Sequence, residues 1–167
     1  MVLLASLQTI CLIAFGSLLI VAAWQDLRTM RIANKLSAAI VAIFAVWAVA
    51  GLLSDSLSLA GLGLALGCAI VMFGLGALAF AVGAFGGGDV KLLAATSLFA
   101  GPALLPDLLL VSAFVGGALG CAIMAGLPLG PAVPASGGTV AARLRGGLPY
   151  GPAIAAGGLW TIFALAG

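Results

Sequence analysis

The most constraining feature of this sequence is its long apolar runs, which very few charged residues interrupt. Residues 56–88, for example, contain no charged side chain, and the 167 residues include only six basic and four acidic ones. Charged residues make up 6% of the chain, whereas soluble domains have about 25%. So few charges could not cover the surface of a soluble fold. The sequence therefore predicts an all-α, polytopic membrane bundle with one domain over residues 1–167.

Apolar runs separated by polar, glycine or proline residues predict about six transmembrane helices. A break between the fourth and fifth helices is expected at Pro106, and Pro149 is expected to open the last helix. Residues 127–148 are rich in proline and glycine and are predicted to form the one long loop. The first run lacks a basic start and is too long for a cleaved signal peptide, so it is predicted to be retained. The predicted helices cover residues 3–24, 36–53, 57–83, 89–105, 107–126 and 149–166.

The basic residues all fall on one side of this predicted topology. With six spans, the connections alternate between the two sides, and every basic residue follows the first, third or fifth span. Asp55 and Asp107 fall on the opposite side. Basic residues favour the cytoplasmic side, so the sequence predicts that both termini lie outside. The basic residues are Arg28, Arg31, Lys35, Lys91, Arg143 and Arg145.

Asp26 and Asp89 are the only carboxylates on the predicted cytoplasmic side. Asp26 lies at the cytoplasmic end of the first predicted span and Asp89 begins the fourth, so both are expected at the same depth. Two neighbouring carboxylates that share one proton can activate water and protonate a leaving amine, which is the chemistry of peptide hydrolysis. The dipoles of their own helices favour Asp89 as the base and Asp26 as the acid. The chain has no histidine, which excludes Ser/His and Cys/His catalysis and argues against a zinc site.

A run of three glycines precedes Asp89. Residues without Cβ atoms allow the backbone to approach a substrate strand closely. Other interpretations of the same residues are a simple loop, an N-cap role for Asp89, and an interfacial Asp26 that pairs with a nearby arginine. The glycines are Gly86, Gly87 and Gly88.

Three segments of the chain, in order, resemble the type IV prepilin peptidase family. Residues 86–93 look like its G-x-G-D motif, residues 26–36 look like the segment of its first aspartate, and residues 148–153 resemble the opening of its last span. The resemblance covers essentially the whole chain and is closest to the short members. It implies an aspartic endopeptidase of the bacterial inner membrane that removes the leader of prepilins at the cytoplasmic face, without a cofactor or metal. Its catalytic residues would be Asp26 and Asp89.

Two departures from the family pattern matter. Ala33 stands where many members have proline. The large cytoplasmic domain of the longer members, which also methylate the mature pilin, is missing. The resemblance therefore does not imply that this chain methylates its substrate.

Several residues near the predicted pair are candidates for substrate binding or for support of the site. Lys91, Arg28 and Arg31 could orient an acidic group of the substrate, or could anchor the topology. Asn34 could cap the second helix or hold the first loop. Tyr150 could reach the site from the last helix, or could lie in an interfacial aromatic belt.

The expected partners are prepilin or pilin-like substrates and membrane lipids, whose anionic headgroups Arg143 and Arg145 are predicted to meet. The net charge of +2 gives no indication of nucleic acid. Two alternative functions stay open. A presenilin-like intramembrane protease also uses a G-x-G-D aspartate, but it needs both acids deeper in the bilayer. A small proton-coupled transporter would use the carboxylates as a proton relay, and should show polar residues at mid-depth and internal repeats.

Overall fold

The computed structural model describes residues 2–125, 127 and 149–166, and all regular secondary structure in them is helical. Four helices are long and apolar enough to cross a membrane, and the last is a shorter apolar helix of 16 residues. The predicted all-helical membrane bundle is confirmed. The predicted loop, with Arg143 and Arg145, lies outside the described residues apart from Leu127. The helices are α1 (Val2–Thr29), α2 (Asn34–Leu53), α3 (Leu59–Ala81), α4 (Gly87–Met124) and α5 (Gly151–Ala166).

A sharp kink at Gly101 divides α4 into two segments. Gly101 has φ 54° and ψ −170°, a conformation that is open almost only to glycine. Pro102 follows, and its fixed φ and missing N–H suit the first position of the second segment. The prediction of a break at Pro106 is wrong, because Pro106 lies inside the second segment. Pro106 costs the second segment one backbone hydrogen bond, but the positive φ of Gly101 cannot continue a helix at all.

The two segments of α4 run in opposite directions beside α5. Gly158 of α5 lies against Thr96 of the first segment, and Gly157 lies against Leu108 of the second. Further along the second segment, Gly116 approaches Ala153. The second segment therefore returns toward the end of the bundle where α4 and α5 begin. This reversal agrees with the separate fourth and fifth helices expected from the sequence, while the count of six membrane crossings stays a prediction.

An aromatic cluster joins α1, α2 and the first segment of α4. The ring of Phe15 stacks on that of Phe99, with centroids 4.1 Å apart, and Phe44 meets Phe99 edge-on at 5.2 Å. Glycine at position 158 lets α5 pack closely on α1, because a Cβ there would lie 2.5 Å from Leu19 Cδ1. Small residues of this kind allow close helix packing inside membranes. The packing holds the end of α1 beside the starts of α4 and α5.

The charges in the described part of the chain are segregated between the two ends of the bundle. The loop after α1 meets the start of α4, since Gly88 packs against Ile32 and Lys91 Nζ donates a hydrogen bond of 2.9 Å to Asn34 Oδ1. Asp55 and Asp107 lie toward the opposite end. We call the first end the basic end; it carries Arg28, Arg31, Lys35 and Lys91. That it faces the cytoplasm stays a prediction.

Candidate active site

Asp26 is a buried carboxylate near the end of α1, with only 4% of its surface exposed. Its Oδ2 accepts a hydrogen bond of 2.8 Å from the backbone N–H of Gly151. Gly151 is the first residue of α5, so this N–H has no partner within its own helix. The partial positive charge at the N-terminus of α5 therefore faces the Asp26 carboxylate.

The sequence around Gly151 explains this contact. A Cβ at position 151 would lie 2.7 Å from Asp26 Cβ and 2.9 Å from Oδ2, so the contact needs glycine. The carbonyl of Tyr150 accepts the hydrogen bond from Ile154 N, at 3.0 Å, which makes Tyr150 the N-cap. The helix thus begins two residues later than the predicted Pro149, which is fully buried in front of it. Pro152 occupies the first turn, where a missing N–H costs little.

Asp89 is the third residue of α4 and is also buried, with 8% of its surface exposed. The N-cap of α4 is Gly86, so the interpretation of Asp89 as the N-cap is wrong. The Asp89 carboxylate turns back toward the Gly86 backbone N–H, as the third residue of a capping box does. Within the described residues its Oδ1 is buried without a hydrogen-bond partner. One carboxylate oxygen is therefore held by backbone and the other is free to meet a ligand.

The fold brings these two carboxylates together, close enough to interact electrostatically. In the part of the chain that the structure describes, no lysine or arginine forms an ion pair with either of them. Arg28 instead lies over the Trp24 ring, 4.3 Å from its centroid, and Arg31 is exposed. The interpretation of Asp26 as an interfacial charge paired with an arginine is therefore wrong.

The three glycines before Asp89 have different surroundings. A Cβ at Gly86 would lie 2.6 Å from Asp89 Oδ2, and one at Gly88 would lie 3.0 Å from Ile32 Cβ and 3.2 Å from the Ile32 carbonyl oxygen. At Gly87 the nearest atom would be on Phe80, at an ordinary 3.5 Å. The first and third glycines of the run are therefore needed for close approach, and the middle one is not.

A matched pair of substitutions tests this difference. We expect Gly86→Ala to reduce the predicted peptidase activity at least about tenfold, because the new methyl group must displace the Asp89 carboxylate, and small misplacements of reacting groups are costly. Gly87→Ala should keep activity within about twofold. Cleavage rates of membrane-embedded protein at equal expression would measure both. Equal loss in the two variants would show that the run acts only as a flexible loop.

The supporting residues fall into two groups. Lys91 and Asn34 bind each other, and Asn34 is the first residue of α2, whose N-cap Ala33 makes no side-chain hydrogen bond. Asn34 thus holds the first loop and does not cap α2. Tyr150 stacks on Phe85, with ring centroids 4.5 Å apart. This pair lies beside the two carboxylates, because Phe85 precedes the glycine run and Tyr150 precedes Gly151.

A cavity of about 580 Å³ opens under the Phe85–Tyr150 stack. Its walls come from both segments of α4 and the start of α5, and apart from Ser112 and Tyr150 they are apolar, with the small residues Ala113, Gly116 and Gly117 on one side. The described residues contain no group of three or more potential metal ligands. The site therefore offers two carboxylates next to an apolar cavity.

Sequence reasoning missed Gly151 and Phe85 as parts of this site. The Pro-Tyr-Gly-Pro segment was the signal for Gly151, since a glycine at the start of a helix marks close approach of another group. Nothing in the sequence singled out Phe85 among the eight phenylalanines. Its role follows only from the stacking on Tyr150.

Comparison with known proteins gives one finding about the family. The model of the type IV leader peptidase family matches residues 13–121, which include Asp26, the glycine run and Asp89. Neither the curated proteins nor the solved structures give a significant match to the chain. The family match runs from α1 to near the end of α4 and covers well over half of the chain. This helical membrane protein therefore belongs to the type IV leader peptidase family.

Proposed function

We propose that this protein is a membrane aspartic endopeptidase that removes the leader from type IV prepilins or pilin-like proteins, with Asp26 and Asp89 as its catalytic pair. The observation that carries the proposal is the burial of these two carboxylates beside each other, without a basic partner in the described residues. Two buried like charges that interact do not readily both ionise, so we expect the pair to share one proton. A shared proton gives one base and one acid, which peptide hydrolysis requires.

In the proposed reaction, the ionised carboxylate takes a proton from a water molecule while the protonated one gives its proton to the carbonyl oxygen of the scissile peptide bond. The water oxygen then bonds to the carbonyl carbon and forms a tetrahedral diol. In the second step the C–N bond breaks, the carboxyl group that took a proton from water gives it to the amine nitrogen, and one hydroxyl of the diol gives its proton to the other carboxylate. The pair again holds one shared proton. One water molecule is consumed, and a new carboxyl group and a new amine are released.

We assign Asp26 as the base and Asp89 as the acid. Asp26 accepts a buried hydrogen bond from the N-terminus of α5, and such a bond stabilises the ionised carboxylate. Asp89 Oδ1 has no partner among the described residues and is therefore available to donate a proton to the substrate. The dipoles of α1 and α4 alone favour the opposite assignment. Neither dipole includes α5, whose first residue, Gly151, donates its backbone N–H directly to Asp26.

The depth of the pair distinguishes this function from the two alternatives. Asp26 lies three residues before the end of α1, and Asp89 is the third residue of α4. Both acids therefore lie near one end of the bundle, as cleavage at a membrane surface requires. An intramembrane protease would hold them nearer the middle of the helices. A proton-coupled transporter would in addition need a linked polar path through the bundle core, whereas the buried hydroxyls of Thr96, Ser97 and Thr161 each donate to a carbonyl of their own helix.

The proposal is tested by incubating membranes that contain the protein with pilin-like proteins that carry a basic leader. We expect a shorter product whose new N-terminus, read by mass spectrometry, follows a glycine at the end of the leader. Membranes from the same host without the protein serve as the control. If the unsubstituted protein shortens no leader-bearing pilin, the proposed substrate class is wrong.

The orientation of the protein gives a separate prediction. A reporter fused after Gly88 is expected to behave as cytoplasmic, and one inserted near Asp55 as external. The reason is that loops rich in lysine and arginine stay on the cytoplasmic side of the membrane. Paired reporters that are active on opposite sides of the membrane would measure this. The reverse pattern would place the proposed site on the outer face and would contradict a cytoplasmic reaction.

A further inference from the structure

A groove of about 310 Å³ lies between α2, α3 and the first segment of α4. Both α2 and α3 pack on α4, but they barely contact each other, and the groove follows the gap between them. Lys91 and Asn34 lie at its mouth, at the basic end. Deeper in, the lining is apolar and includes Val41, Phe73 and Leu98.

Two polar groups in this groove have unused hydrogen-bonding capacity. Ser37 is 6% exposed, and among the described residues its Oγ has no hydrogen-bond partner. A buried hydroxyl without a partner is costly, and a bound group that accepts its hydrogen bond would remove that cost. The Lys91 ammonium carries three donors, of which Asn34 uses one, and no carboxylate neutralises it in the part of the chain described. Among the described residues, the groove therefore combines a cation without a neutralising carboxylate at its mouth, Lys91, with an unpaired hydroxyl below it, Ser37.

The order of these groups matches the order of groups in a phospholipid. Ser37 follows Asn34 by three residues on α2, which is about 4.5 Å further into the membrane. A cation at the surface, a hydroxyl slightly deeper and an apolar channel beyond it correspond to phosphate, ester carbonyl and acyl chain.

We propose that this groove binds one acidic glycerophospholipid. Its phosphate contacts Lys91 Nζ, an ester carbonyl accepts a hydrogen bond from Ser37 Oγ, and one acyl chain lies along Val41, Phe73 and Leu98. The positive charge of Lys91 selects an acidic headgroup over a zwitterionic one. Lys91 also supports the proposed peptidase site, but lipid binding to the groove can be measured without any substrate.

The test is native mass spectrometry of the full-length protein in detergent, with phosphatidylglycerol and phosphatidylcholine of equal chain length. We expect one phosphatidylglycerol to be retained in preference to phosphatidylcholine. Lys91→Gln should weaken that retention about fivefold, the size of one lysine contact with an acidic lipid. Ser37→Ala should weaken it by a similar factor. Glycerol phosphate, which has the headgroup but no chain, should not bind.

Two valines on α2 provide a matched control. Val41 and Val46 are each 47% exposed, but of the two only Val41 lines the groove. We expect Val41→Trp to fill the groove and abolish preferential retention, and Val46→Trp to leave it unchanged. Equal effects of the two substitutions, or equal retention of both lipids by the unmodified protein, would overturn the proposal. Displacement of the lipid by a leader-bearing pilin would show instead that the groove belongs to a peptide.

Discussion

Replacing either Asp26 or Asp89 with asparagine is expected to lower cleavage of a co-expressed prepilin by about 10²–10⁴-fold, the usual contribution of a general acid or base. Asparagine keeps the size of the side chain and can still accept the Gly151 hydrogen bond, but it cannot carry the shared proton. The protein should remain in the membrane in normal amounts. The ratio of processed to unprocessed prepilin, together with the protein level in the membrane fraction, would measure the effect.

The other two aspartates supply the control for this experiment. Asp55 lies in the turn between α2 and α3, and Asp107 lies near the kink of α4, both toward the opposite end of the bundle. Asp55→Asn and Asp107→Asn should therefore process prepilin normally. Near-normal processing by Asp26→Asn or by Asp89→Asn would remove the chemical basis of the proposed mechanism.

Gly151→Ala is expected to lower cleavage by about 10²-fold, although position 151 carries no reactive group. The added Cβ would lie within 3 Å of the Cβ, Cγ and Oδ2 atoms of Asp26. The carboxylate must move, and a displacement of about 1 Å can cost 10²-fold in rate. The overpacking should also destabilise the protein by about 1–3 kcal/mol. Cleavage rates and thermal unfolding of the purified protein would separate the two effects.

Two comparisons show whether Gly151 acts through Asp26. Gly74→Ala is the control, because a Cβ at Gly74 would meet no atom within 4 Å, and its activity should be unchanged. In the double variant with Asp26→Asn, Gly151→Ala should cause little further loss, since residues that act as a unit are not additive. A fully additive loss would indicate that Gly151 affects activity through some other part of the protein.

The helix positions could largely be predicted from the sequence, because charges and glycines mark most of their ends. The second helix was expected over residues 36–53 and is found over Asn34–Leu53. The first was expected to end at residue 24 but continues to Thr29, since Asp26 finds a partner inside the protein and needs no contact with water. The sequence could not decide whether the helix breaks at Gly101 or at Pro106, because both residue types interrupt helices. The decision depends on the positive φ of Gly101, which only the tertiary structure shows.

The proximity of Asp26 and Asp89 could be predicted from the topology, since both belong to the same end of the bundle. The orientation of their side chains could not. The donor to Asp26 is 125 residues away in the sequence, and it is brought there by close packing of α5 on α1 at Gly158. The bond between Lys91 and Asn34 also joins helices that are remote along the chain. Such contacts follow from helix packing, which local pattern does not specify.

The hydrogen bond from Gly151 to Asp26 has a consequence for the time at which activity can begin. Both acids leave the ribosome long before α5 does, so a partly synthesised chain already contains the two carboxylates but lacks the N–H that orients one of them. Proteolytic competence would then start only when the final helix docks. A nascent chain would therefore not cleave other polypeptides that enter the bilayer while its own synthesis is still under way.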